Sequence, residues 1–354
     1  MGDSAPPELR PLPDTTPEPV TCAAGAALLA QGGSADGRTR GWILVDGDPP
    51  AVARSLGAVL AWSNRQGVDD LHVITDEGGV LARRAELFST STSVWNVDGA
   101  VAVPARPSEH AQVKAPPPEA LDLVPLLHDA GVEIVIEHGE VRGEVLGLEV
   151  ARIVVDEEGP RVEVGVGRHD REAFTMVHGN IPTVDALEVV ISSVRSMRGP
   201  GLECGRFPLG RLAAERWLRR VVIAEPSIVG AVELAPAEPV LPRDSLNDVA
   251  PAVATGVGVD GRPTVVVTST GIDRDLVPAA ADARLLHAPD ARLVLVVPER
   301  DNHRVTQELA ALLSDPAEIV TVSGDFRERG GPDSQPGGPD SQPGGPDSQP
   351  GGPD

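Results

Sequence analysis

The chain has no tyrosine, a single lysine (Lys114) and two cysteines, and its only aromatic side chains are four tryptophans and four phenylalanines in 354 residues. With aromatics at 2%, a platform for stacking nucleic-acid bases has no support in the composition. The core must instead come from the Val, Leu, Ile and Ala within the 41% hydrophobic fraction, residues that suit sheets buried on both faces. Cys22 and Cys204 lie far apart, with no second Cys or His at ligand spacing. That excludes a structural zinc site and fits a reducing compartment. A basic leader is missing too, since the N-terminus carries Asp3, Glu8, Asp14 and Glu18. The apolar stretch Ala23–Ala30 is far shorter than the ~20 residues of a membrane span and reads as a short surface helix. The expectation is a cytoplasmic protein.

What is present is acid. Thirty Lys and Arg face 53 Asp and Glu, a formal net charge of −23, which favours solubility and repels bulk nucleic acid and anionic membrane. Residues 1–20 are Pro-rich and read as disordered. From Gly330 the heptad GGPDSQP recurs without an apolar residue, so nothing offsets the entropy of ordering residues 330–354. The Pro run in 105–118 reads as a linker.

Between these segments the sequence predicts an α/β fold: two βαβαβ, Rossmann-like units flanking a β-rich middle region. The first unit, 38–104, has apolar strands at Trp42–Val45, Leu71–Ile74 and Val94–Val97, with helical spacing of Val52, Leu56, Val59 and Leu60, then of Leu81, Arg84, Ala85 and Phe88. The same order returns in 263–329, with strands at Val265–Thr268, Leu293–Val297 and Ile319–Val322 around helices at Leu276–Leu286 and Val305–Leu313. Alternation of this kind implies parallel βαβ units, and the nearly equal spacings leave open a duplication or two ordinary units. One shared sheet, with the middle region as an insertion, is also open. Residues 119–234 read as a β-rich α+β region, and 235–262 as an irregular Pro- and Gly-rich connection.

Five constellations carry candidate chemistry. Ligands of open α/β sheets bind beyond the carboxyl ends of the strands, where Asp273, Asp275, Glu299 and Asp301 follow two strands. As oxygen donors these four are candidate ligands for Mg²⁺ or Mn²⁺. Alternatively Asp48 and Asp275 are helix N-caps and the other acids solvated loop charges. Ser269-Thr270-Gly271, between a strand and a helix, is a candidate phosphate or cofactor cradle. Arg195, Arg198, Arg206, Arg211, Arg216, Arg219 and Arg220 reverse the local charge and could hold a phosphate-containing ligand or acidic partner, or pair with the protein's own carboxylates. His169, inside Arg168-His169-Asp170-Arg171-Glu172, is a candidate general acid or base with His138 and His178 as neighbours.

The fifth constellation is Glu144–Gly165, EVLGLEVARIVVDEEGPRVEVG, which resembles the hairpin of PD-(D/E)xK nucleases. The resemblance implies that Glu149 and Glu163 take the two acidic, metal-binding catalytic positions, while Gly165 stands where the family has Lys. A turn centred on Glu158 pairs Val155 with Arg161 and Ile153 with Glu163. Glu149 and Glu163 then share a face, but four residues apart, roughly 13 Å at strand rise, unless a bulge shifts the register.

Three functions follow as expectations. The first is a binding or regulatory α/β protein without a complete catalytic motif. The second is a metal-dependent hydrolase or nucleotide-handling enzyme using the acidic strand ends. The third is a degenerate nuclease-like protein associated with nucleic acid.

Overall fold

The computed structural model describes residues 18–30, 37–167, 171, 182–198, 210–243 and 250–329. The protein is mixed α/β with three sheets. The first is six-stranded, in the order β1 (Glu18–Cys22), β2 (Gly25–Ala30), β3 (Arg40–Leu44), β4 (Asp70–Thr75), β5 (Thr92–Asp98) and β6 (Val101–Pro104). Its centre, β3-β4-β5, is parallel, and the flanking pairs are antiparallel. Helices α1 (Pro49–Ala53), α2 (Leu56–Gln66) and α3 (Gly79–Ala85) make the crossovers. The Asp48 carboxylate caps α1 by accepting from the Ala51 amide at 2.9 Å.

After short helices α4 (Pro118–Leu121) and α5 (Val124–Asp129), the second sheet is an antiparallel meander of β7 (Glu133–Glu137), β8 (Glu140–Val145), β9 (Leu148–Asp156) and β10 (Gly159–Val164). Helices α6 (Thr183–Arg198) and α7 (Ala214–Ala224) follow. The third sheet is five-stranded: β11 (Ala231–Ala237), β12 (Ala252–Gly258), β13 (Pro263–Thr268), β14 (Arg292–Pro298) and β15 (Ala317–Val322). There β13-β14-β15 are parallel, crossed by α8 (Leu276–His287) and α9 (Arg304–Ala311).

Two expectations are corrected. Ala23–Ala30 is not a helix. Most of it is β2, with Ala27 and Leu29 buried at alternate positions, the strand period of two. The Pro- and Gly-rich region 235–262 contains all of β12 and the end of β11. Pro236 sits in β11 at the sheet edge, where a missing amide is tolerated. Gly256 of β12 approaches β11 so closely that a Cβ would lie 1.9 Å from the Glu233 carbonyl oxygen. Of the two arrangements left open, the parallel segments lie in separate sheets.

The two sheets instead share a core. Val59, Leu60 and Trp62 of α2 and Leu81 of α3 pack with Val277, Ala280 and Ala281 of α8 and Leu309 of α9, in a helix layer lined by Ile43, Val73, Val265 and Leu295 from the two sheets. The alternate residues Val266, Val294 and Val296 point the other way, into a second core with Trp217 and Leu218 of α7 and the β8–β9 hairpin. The third sheet is therefore buried on both faces, as its Val-rich strands require. Where the helix layer ends, Leu87-Phe88-Ser89 and Leu312-Leu313-Ser314 pair reciprocally. The Ser89 amide donates to the Leu312 carbonyl (2.8 Å) and the Ser314 amide to the Leu87 carbonyl (3.0 Å). The linker 105–117 has no regular element.

Candidate functional site

The carboxyl ends of β3 and β13 open into one cleft of 420 Å³ between the two parallel segments. Val45, Asp46, Arg54 and Ser55 line it from the first segment, and Ile272, Asp273, Arg274 and Asp275 from the second. Its floor is tight because Gly57 opens α2 against the Arg274 backbone. A Cβ there would lie 1.8 Å from the Arg274 carbonyl oxygen, so a larger residue would force the walls apart.

Two of the four strand-end acids line this cleft. Asp273 accepts through Oδ1 from the Asp275 amide at 2.8 Å, while its Oδ2 is sealed from solvent and has no hydrogen-bond partner. Burial pushes the Asp273 carboxyl above its ordinary range. Asp275 stands at the N-terminus of α8 but makes no side-chain cap. It meets the Arg84 guanidinium at 2.9 Å instead. Burial pushes the Asp275 carboxyl up to about 7; Arg84 pulls against that shift and Asp273 adds to it.

The other two acids lie apart from them. The Asp301 carboxylate accepts from the Gly271 amide at 2.7 Å, so the protein's own carboxylate takes the turn donor offered to a phosphate by Ser269-Thr270-Gly271. Ser269 is buried, and its Oγ has no hydrogen-bond partner. Glu299 is exposed. Among the described residues, no three His, Cys, Asp or Glu side chains are grouped as metal ligands.

Behind the cleft, Asp282 of α8 collects the side chains that bind the segments together. Arg83 contacts it through two nitrogens (2.8 and 3.0 Å), Arg84 through Nε (2.8 Å) and His110 of the linker through Nε2 (2.8 Å). Burial alone would raise the Asp282 carboxyl, but Arg83 and Arg84 hold it below its ordinary range. Arg84 was legible as a charge within the apolar stripe of a helix. Asp282, on the opposing unit, was not.

The hairpin of β9 and β10 is a second charged site. Its register is one residue from that expected: Glu163 faces Arg152, and Val162 faces Ile153. A bulge in β9 then skips Val150, so Glu144 faces Glu149 while Gly143 faces Ala151. The bulge turns Glu149 onto the face of Arg152 and Glu163. Both glutamates reach Arg171, Glu149 at 2.7 Å and Glu163 at 3.7 Å, and Glu149 also pairs with Arg152 at 3.0 Å. Burial would raise the Glu149 carboxyl, yet Arg152, Arg142 and Arg171 hold it below its ordinary range.

The same sheet face continues through Arg142, Glu144 and Glu137 to helix α7. Arg216 binds Glu137 (2.5 Å) and Glu144 (2.7 Å), and Arg219 binds the same two glutamates (2.9 and 3.3 Å). The arginine stretch thus pairs internally. Arg220 binds Glu133, and Arg198 donates to the Leu146 and Leu212 carbonyls with its guanidinium 4.6 Å from the Trp217 ring centre. Arg195 is exposed and donates to the Gly131 carbonyl, and Arg211 is exposed. Arg206, His169, His178, Cys204 and the tail from Gly330 lie outside the described residues. His138 is held by Glu238, which accepts from its amide at 2.8 Å.

No family model, characterised protein or solved structure matches the chain. Among the described residues, no helix is long and apolar enough to cross a membrane.

The perturbed acids set a pH dependence. Asp275 takes up a proton on folding between its ordinary range and about 7, so it contributes stability at low pH that is lost as pH rises through about 7. Urea melts of the wild type should show stability falling from about pH 5 to about pH 8. In Asp275→Asn that slope should flatten. An unchanged slope in the variant assigns the titration to another group.

Proposed function

We propose that the chain is a ligand-binding or regulatory protein and that the cleft between the ends of β3 and β13 is its binding site. The observation that carries this reading is Asp273 Oδ2, a carboxylate oxygen sealed from water and unpaired in the wall of a 420 Å³ cleft. A buried acceptor without a partner costs about 1–3 kcal/mol, a cost that a bound N–H donor would remove once the cleft wall moves to admit it. Perturbed acids in a cleft are also a recognised mark of function. Arg54 and Arg274 stand across the same cleft. The ligand that fits is a small polar molecule with an amino or amidino donor for Asp273 and a carboxylate or phosphate for the arginines.

The architecture of this reading is a pair of Rossmann-like units, 38–104 and 263–329, related by duplication. The β-rich region 119–234 stands apart from the site. The common strand–helix order and the reciprocal Ser89 and Ser314 hydrogen bonds support it. Cytoplasmic residence belongs to the same reading, supported by the Cys22 thiol, which is in no disulfide among the described residues.

A thermal-shift screen of amino acids, polyamines and nucleotides tests the site. At least one compound should raise the Tm of the wild type. Asp273→Asn should weaken that compound about tenfold or more, the equivalent of one charge-assisted hydrogen bond. Equal binding to wild type and variant places the ligand elsewhere, and no stabilising compound in the screen counts against the cleft.

A further inference from the structure

The first sheet turns one face to the helix layer and holds the side chains of its other face outside both hydrophobic cores. The second face carries Leu28 of β2, Trp42 and Leu44 of β3, His72 and Ile74 of β4, and Trp95 of β5, as their pairing registers require. Trp42 and His72 stack with ring centres 5.7 Å apart, and Trp95 Nε1 donates to His72 Nδ1 at 3.2 Å. The row is apolar and continuous. Leu44 is 47% exposed, whereas Trp42 is 5% and Trp95 1% exposed, although neither indole belongs to the two cores. Flat indoles on an uncovered sheet face would not be shielded to this degree.

We propose that the chain's own Pro-rich segment, residues 1–17, lies across this face and that Trp42 and Trp95 are its docking surface. The segment leads directly into β1, the edge strand of the same sheet. Seventeen residues in an extended polyproline conformation reach about 50 Å, about twice the ~24 Å width of six strands. Its chemistry matches, because Pro6, Pro7, Pro11 and Pro13 alternate with Leu9 and Leu12. Proline rings and flanking apolar side chains dock on aromatic-lined surfaces at low entropic cost, since their extended form is already set. The tail from Gly330 is a poor rival, having no apolar residue.

Tryptophan fluorescence tests this, because Trp62 and Trp217 are sealed in the two cores and serve as silent controls. Removing residues 1–17 should shift the emission to the red and raise acrylamide quenching, and a synthetic peptide of residues 1–17 added in trans should reverse both. Should the shortened chain fail to fold, Leu9→Ala with Leu12→Ala in the full chain keeps β1 intact and should still raise quenching. Quenching unchanged in a folded shortened chain, or in the double variant, overturns the proposal. So does an increase that the peptide cannot reverse.

Discussion

Replacing Glu137 by alanine is expected to destabilise the fold by about 3–5 kcal/mol, the usual cost of leaving a buried charge without its partner. Glu137 is the acceptor for Arg216, Arg219 and Arg142, and all four side chains are buried. Burial works against its charge, yet the three arginines hold its carboxyl down to about 2. Its removal leaves Glu144 to face Arg216 and Arg219 alone. Urea unfolding measures the loss, and Glu163→Ala provides the comparison. Glu163 is half-buried at the rim, where a pair is worth about 1 kcal/mol or less. Equal losses in the two variants would show that the network does not act as a buried unit. The sign with pH follows from the lowered carboxyl: the contribution of Glu137 is present above its ordinary range and is lost as pH falls towards about 2.

A loss of similar size, about 3–5 kcal/mol, is expected for Asp282→Ala. That change strands Arg83 and Arg84 in the helix layer, with Asp275 the remaining carboxylate on Arg84. Arg83→Ala should cost less, because Asp282 would keep Arg84 and His110. A control is Arg304→Ala, which removes an exposed pair with Glu308 worth about 0.3–0.5 kcal/mol. Should Asp282→Ala lose no more than this control, the docking of the two segments does not depend on the cluster.

The strand–helix order of the two parallel segments was legible because Val- and Leu-rich strands and helix-spaced apolar residues give strong periodic signals. Sheet membership was not legible, since it rests on which distant segments touch. The β1–β2 hairpin was hidden by alanine, which suits helix and strand alike, and β12 by the glycine that its close approach to β11 demands. Of the residues lining the cleft, Asp273 and Asp275 were legible as acids at a strand end. Arg54 was missed, having no motif. The charged face of β7 and β8 was also missed, for a definite reason. In β8, Glu140, Arg142 and Glu144 alternate with Val141, Gly143 and Val145 as in any strand with one wet face, and in β7 Glu133 and Glu137 bracket the apolar run Ile134–Ile136. Nothing local in that pattern shows that α7 lays its arginines over it. The one-residue register and the Val150 bulge likewise depend on local geometry that residue types alone do not determine.

The reciprocal hydrogen bonds between Leu87-Phe88-Ser89 and Leu312-Leu313-Ser314 have a thermodynamic consequence. Contacts of this mutual kind usually join two copies of a subunit, and such a pair dissociates on dilution. Here both partners belong to one polypeptide, so their meeting is unimolecular and does not depend on protein concentration. The helix layer and the cleft above it therefore stay assembled at any protein concentration, and a ligand need not bring two chains together in order to bind.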